Sequence, residues 1–219
     1  MVSYKFQNNL KEKLNVGKII CLARTYKKHA DEMNTIVTKE PILFLKPASS
    51  IIFNGQSIII PKISNCLHHE VELGVIIGKR GKDIPKNKAM NYVIGYLLAL
   101  DITARDIQNE AKKKGFPWSI AKGFDTFSPI SDAVLKKEIN NPNNLDLLLK
   151  VNGSIKQKSN TKNMIFSIER IIEFISKIMT LEKGDLILTG TPEGVGEIKH
   201  GDILEAELGN FCFLNVNVI

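Results

Sequence analysis

The chain has 219 residues, 43% hydrophobic and 24% charged, an ordinary globular balance and enough length to bury a core. No apolar run reaches the roughly 18 residues that a membrane helix needs, and the opening MVSYKFQNNLKEKLNVGK carries charges and amides where a signal peptide carries its apolar stretch, so the expectation is a cytoplasmic protein without a membrane partner. The net charge of +7 raises the question of nucleic acid, but the lysines are dispersed and the one tight basic run, Lys112-Lys113-Lys114, lacks interleaved aromatics, which argues against it.

In chain order, Lys18–Ala23, Ile42–Lys46 and Ser57–Ile60 read as strands, rich in Ile and Leu and bounded by Pro or Gly. Glu70–Ile77 and Gly95–Asp101 read as longer, more buried strands, and Leu145–Val151 as another. Asp185–Thr189, Ile203–Leu208 and Phe211–Val218 close the chain, with Gly209-Asn210 as the hairpin turn of the last pair. One helix starts at Ile168, where Ile171, Ile172, Ile175, Ile178 and Met179 keep helical spacing behind Ser167 as N-cap. Shorter helices are expected over Tyr26–Met33, Lys86–Tyr92 and Ala104–Lys114. Many strands with few helices predict an α+β, β-dominated fold, a roll or barrel-like sheet in place of a doubly wound one. The three cysteines are far apart, each among apolar neighbours, and read as small buried hydrophobes.

The chemistry concentrates in four stretches. In His68-His69-Glu70-Val71-Glu72, a strand places Glu70 and Glu72 on one face, about 7 Å apart along the chain, with Val71, Leu73, Val75 and Ile77 opposite. Two such acids need a counter-charge if buried, and a divalent cation supplies one; the alternative is an edge strand with two solvated glutamates. Asp101, ending the apolar run Tyr96–Leu100, either caps the following helix or joins the acids, and three carboxylates without His or Cys favour Mg²⁺ or Mn²⁺. His68 and His69 point to opposite faces, so at most one reaches such a site. Across Arg24-Thr25-Tyr26-Lys27-Lys28-His29-Ala30-Asp31-Glu32, a helix brings His29 and Glu32 together, a pair fit for a general base or for the surface alone. The stretch from Gly115 to Phe127 reads as a loop holding the single Trp and Lys122 among apolar residues, and Thr189–Gly196 as a Gly-rich loop that matches neither a P-loop nor a dinucleotide fingerprint.

Taken together and in order, Arg24-Thr25-Tyr26 with His29 and Glu32, Leu45-Lys46-Pro47, His69–Glu72, Asp101–Gln108, Lys122–Asp125 and Leu188–Gly196 resemble the fumarylacetoacetate hydrolase family. The resemblance runs from about residue 17 to about residue 205 and fits its short, single-domain branch. It implies a mixed β-roll, with a single catalytic domain over 17–219 behind an N-terminal extension, 1–16, and assembly as a homodimer. It also implies one Mg²⁺ or Mn²⁺ per chain on Glu70, Glu72 and Asp101. His29, Glu32 and Lys122 would be catalytic, Arg24, Gln108 and Thr191 would contact the substrate, and Lys46 and Arg105 would support the site. One position departs: Thr25 stands where the family commonly has Asn, which implies a lost donor near the substrate. The reaction expected first is hydrolysis of acylpyruvates to pyruvate and a carboxylic acid through a metal-stabilised enolate. Oxaloacetate decarboxylation or tautomerisation comes next, then isomerisation or decarboxylation of aromatic-catabolic dienoates. A basic nucleic-acid-binding protein is the rival outside enzymes.

Overall fold

The structure is a computed structural model describing residues 2–8, 13–33 and 35–219. Met1, Asn34 and the stretch Asn9–Glu12 of the expected N-terminal extension lie outside the described residues.

A curled, mixed sheet of eight strands organises the molecule. Its main path runs Ile42–Lys46, Ile19–Ala23, Leu186–Leu188, Val71–Ile77, Val93–Leu100, Ser128–Ile130 and Ile51–Phe53, with Val134–Leu135 pairing beside Val93–Leu100. Only the pairings of Ile19–Ala23 with Leu186–Leu188 and of Ile51–Phe53 with Ser128–Ile130 are parallel; the others are antiparallel. Alternation then sorts the side chains between two cores. Ile20, Leu22, Val71, Leu73, Val75, Leu98 and Leu100 face a large core, while Ile19, Cys21, Ile76, Leu97, Ala99, Leu186 and Leu188 face a smaller one.

The large core is closed by a five-stranded sheet, Ser154–Asn160, Asp146–Val151, Ile203–Leu208, Cys212–Val218 and Ser57–Ile58, and by the helix Ile168–Ile178. That helix buries Ile168, Ile171, Ile172 and Ile175, and the Ser167 hydroxyl accepts a hydrogen bond from the Arg170 N–H at 3.4 Å. It ends one residue before Met179, which is extended, and Ile178 is exposed, so the apolar stripe is shorter than its spacing suggests. Tyr4, Phe6 and Leu14 of the N-terminal segment pack into the smaller core.

Three expectations shift in detail. Lys86–Tyr92 is a 3-10 helix, entered from Pro85 in extended conformation. The stretch read as a loop around Trp118 contains a helical turn, Ser119–Lys122. Ser154–Asn160, whose Ile155 is exposed and Gln157 buried, is a strand that hydrophobic alternation does not reveal. Among the described residues no helix is long and apolar enough to cross a membrane.

Candidate active site

The antiparallel register builds the acidic cluster. Val71 pairs with Leu100 and Glu72 with Ala99, so Asp101 lies across from Glu70, and its N–H donates to the Glu70 carbonyl at 2.8 Å. Glu70, Glu72 and Asp101 thereby share the face of the smaller core, each 6% exposed or less. One carboxylate oxygen from each lies within 4.8 Å of the others.

Glu72 is anchored by the Gly190 N–H, which donates to its Oε2 at 2.7 Å. Gly190 has φ of 93°, and a Cβ there would meet the Thr25 hydroxyl at 1.9 Å, so glycine is required for this approach. The Gly-rich loop thus presents an N–H to a protein carboxylate. Thr25 is fully buried and donates to the Thr189 carbonyl at 2.8 Å, fixing the base of the same loop. It does not line the cleft, so the departure from Asn changes a support of the loop, contrary to the expected loss of a donor near the substrate.

Three buried cations face the three acids. Lys122 Nζ lies 3.0 Å from Glu70 Oε2, 2.5 Å from Asp101 Oδ2 and 2.6 Å from the Thr103 hydroxyl. Lys46 Nζ lies 2.6 Å from Asp101 Oδ1 and 3.0 Å from the Ile102 carbonyl. Arg105 pairs with Glu70 Oε1 through one guanidinium nitrogen and donates to Gln108 Oε1 at 2.6 Å through another. The formal count is therefore zero before any ion is bound, where the acids alone would have left a dication site at minus one.

The charge is unevenly shared. Burial raises the Glu70 carboxyl, but Lys122 and Arg105 outweigh it and hold the group well below the usual carboxylate range. Glu72 is pushed well upward by burial and by the charges of Asp101 and Glu70. Positive charge is thus deficient at Glu72, and an all-oxygen set of three converging carboxylates suits a hard divalent cation. The residues fit such an ion.

Opposite the acids, the helix Lys27–Glu32 carries His29, whose Nδ1 is 3.1 Å from Glu32 Oε2. Glu32 also accepts from the Gly194 N–H at 3.0 Å, tying this helix to the Gly-rich loop. His29, Arg24, Glu70, Glu72, Arg105, Gln108, Lys122 and Thr191 all line one cleft, walled by Phe44, Trp118 and Met33. It encloses about 450 Å³ including its open mouth. Asp101 lies behind this lining, held by Lys46 and Lys122. Of the two histidines, His68 Nδ1 accepts from Arg105 Nε at 3.4 Å, while His69 turns away.

Sequence reasoning missed Gln157. Its Oε1 accepts from the Val71 N–H at 3.0 Å and stands 3.0 Å from His69 Nδ1. Its Nε2 donates to the Thr191 hydroxyl at 2.8 Å and the Pro192 carbonyl at 3.0 Å. Thr191 in turn donates to the Val71 carbonyl at 2.9 Å. One buried amide therefore clamps the acid-bearing strand to the Gly-rich loop.

Comparison with known proteins bears on the family and the fold. The model of the fumarylacetoacetate (FAA) hydrolase C-terminal family matches residues 18–219. A mitochondrial oxaloacetate tautomerase of Mus musculus is 54% identical over 200 residues, 91% of this chain and 90% of that one. A mitochondrial oxaloacetate decarboxylase of Dictyostelium discoideum is 52% identical over 189 residues, 86% and 87% of the two chains. Among solved structures, fumarylpyruvate hydrolase from Pseudomonas aeruginosa in complex with Mn²⁺ and pyruvate is 33% identical, covering 100% of this chain and 95% of that one, with a TM-score of 0.95.

Proposed function

The chain belongs to the fumarylacetoacetate hydrolase family, and on that premise we propose that it is a metal-dependent enzyme that interconverts the enol and keto forms of oxaloacetate. The observation that carries the reading is a single cleft lined by the carboxylates Glu70 and Glu72 and by His29, which is paired behind the lining with Glu32. Identities above 50% to a tautomerase and a decarboxylase of oxaloacetate support this substrate, and for that reason we put oxaloacetate chemistry ahead of the acylpyruvate hydrolysis expected first.

Mg²⁺ or Mn²⁺, one per chain on Glu70, Glu72 and Asp101, would supply Lewis-acid stabilisation of the enolate form of a 2-oxo acid. The chain's own residues do the rest. Glu32 orients His29 through Nδ1, leaving Nε2 to hold the proton that moves to or from C3 of the substrate. Lys122 holds Glu70 and Asp101 in place and brings a positive charge to the developing enolate oxygen. Arg24, Gln108 and Thr191 bind the substrate's oxygens. Phe44, Trp118 and Met33 supply the apolar wall of the same cleft. We assign the catalytic domain to residues 17–219 and the working assembly to a homodimer.

Acylpyruvate hydrolysis is the second reading, supported by the likeness to a fumarylpyruvate hydrolase at 33% identity and by a base pair able to activate water. The two readings separate in one assay. Purified protein with Mg²⁺ is expected to accelerate loss of the enol absorbance of oxaloacetate far more than cleavage of acetylpyruvate. The reverse order would favour the hydrolase, and activity on neither would remove both.

A further inference from the structure

The helix Arg105–Lys114 begins at the acidic cluster, and three of its side chains line the cleft: Arg105, Gln108 and Lys112. Steps of three and four residues keep them on one stripe of the helix, from the acids outward to the mouth. All three lysines are exposed, but Lys113 and Lys114 leave that stripe and do not line the cleft, and Lys114 pairs with Glu110. The basic run that reads as uniform in the sequence is therefore divided by the helix.

The cations of the cleft fall into two groups. Arg105 and Lys122 are engaged by Glu70 and Asp101. Arg24 and Lys112 have no carboxylate within ion-pair distance among the described residues, although both line the cleft. Lys112 Nζ sits 5.4 Å from the ring centre of Trp118, which fixes it at the wall without consuming its charge. Arg24 is held with φ of 59°, a left-handed conformation uncommon for a residue with a Cβ and concentrated at functional positions. Its backbone is bent to bring it into the cleft between the strand Ile19–Ala23 and the helix Lys27–Glu32.

The charge count asks for an anion at that spot. Three acids and three buried cations cancel, so a bound dication and the pair Arg24 and Lys112 leave the cleft strongly positive. A 2-oxo monocarboxylate answers only part of this at the metal end, and a second carboxylate at the other end answers more of it. We propose that Lys112, together with Arg24, receives the substrate carboxylate remote from the 2-oxo group, and so selects dicarboxylic 2-oxo acids over monocarboxylic ones such as acetylpyruvate. The inference rests on the 2-oxo acid reading above and names the residue that sets its substrate class.

Malate and lactate test it without turnover, since they differ in the remote carboxylate and share the 2-hydroxy acid end. The binding of each to the Mg²⁺-loaded protein is measured by calorimetric titration in the wild type, Lys112→Met and Lys112→Arg. Wild type is expected to prefer malate. Lys112→Met should weaken malate on the order of 10-fold, the scale of one charge-assisted contact, and leave lactate within about twofold. Lys112→Arg should retain most of the preference. Equal effects on both ligands, no effect on malate, no malate preference in the wild type, or a loss in Lys112→Arg as large as in Lys112→Met would each overturn the inference. Oxaloacetate turnover is followed in parallel. A malate-selective loss in a protein that does not turn over oxaloacetate would sink the proposed function alone, and turnover without that selectivity would sink this inference alone.

Discussion

Lys122 Nζ lies 2.5 Å from Asp101 Oδ2, and the same ammonium reaches Glu70 Oε2 at 3.0 Å. One fully buried cation thus bridges two of the three acids. Its proton is retained more strongly than usual: burial works against the charge, but Asp101 and Glu70 outweigh it.

Removing that bridge should expose the dependence of the cluster on positive charge. Lys122→Met is expected to destabilise the metal-free protein by about 3–5 kcal/mol, the cost of stranding buried charge. Mg²⁺ should restore more stability to the variant than to the wild type, because it occupies the same electrostatic role. Thermal unfolding with and without Mg²⁺ reads both quantities. An equal Mg²⁺ shift in the two proteins would mean that the ammonium and the ion do not share the acids.

The roles of His29 and the acids should separate by reaction. His29→Ala is expected to lower any water-dependent cleavage of acetylpyruvate by about 10²–10⁴-fold, the scale of general base catalysis. Loss of carbon dioxide from oxaloacetate needs an electron sink and no attacking water, so it should fall much less. Glu72→Gln should depress both. Equal losses in His29→Ala, at unchanged Mg²⁺ affinity, would show that His29 serves a step common to both reactions.

The site was legible where it follows from strand alternation. Glu70 and Glu72 at spacing two, and Asp101 at the end of the neighbouring apolar run, announce a shared face because the pairing is regular from Val71 to Ile76, its one register shift lying at the far end. His29 and Glu32 follow from helical spacing in the same way. Thr25 misled because sequence order does not say that its hydroxyl turns to the Thr189 carbonyl. Lys112 was hidden inside a run of three lysines until the helix divided them. Gln157 left no trace, since its strand exposes Ile155 and buries an amide. Polar burial of that kind is decided by partners far along the chain, 34 residues away at Thr191 and 86 at Val71.

Those partners make Gln157 a stability test. Gln157→Leu keeps much of the volume but leaves the Val71 N–H, the Pro192 carbonyl and His69 Nδ1 without these bonds. A loss of about 2–4 kcal/mol is expected from three stranded buried groups, read from urea unfolding. A loss below about 1 kcal/mol would show that the clamp is dispensable.

The thiols report burial directly. Cys66 is half-buried and should react with a thiol reagent in the native protein, whereas the buried Cys21 and Cys212 should wait for unfolding. Burial pushes the Cys212 thiol up to about 11. In the unfolded chain it titrates near 8.5, so between about 8.5 and about 11 the unfolded state releases a proton that the folded state keeps. Stability is therefore full below that window and falls as pH rises through it, and the buried hydroxyls of Tyr4 and Tyr26, raised by desolvation, act in the same direction. Denaturant midpoints measured across the window should decline, and less so in Cys212→Ala once its altered packing is allowed for at neutral pH.

The buried acids and the His29–Glu32 pair are proposed to act together on the enol of a 2-oxo acid. The most direct measurement is the decay of enol-oxaloacetate absorbance on adding the protein with Mg²⁺. A rate proportional to protein, abolished by EDTA and by Glu72→Gln and strongly reduced in His29→Ala, is the predicted result. Decay at the uncatalysed rate, or catalysis untouched by both EDTA and Glu72→Gln, would contradict the account.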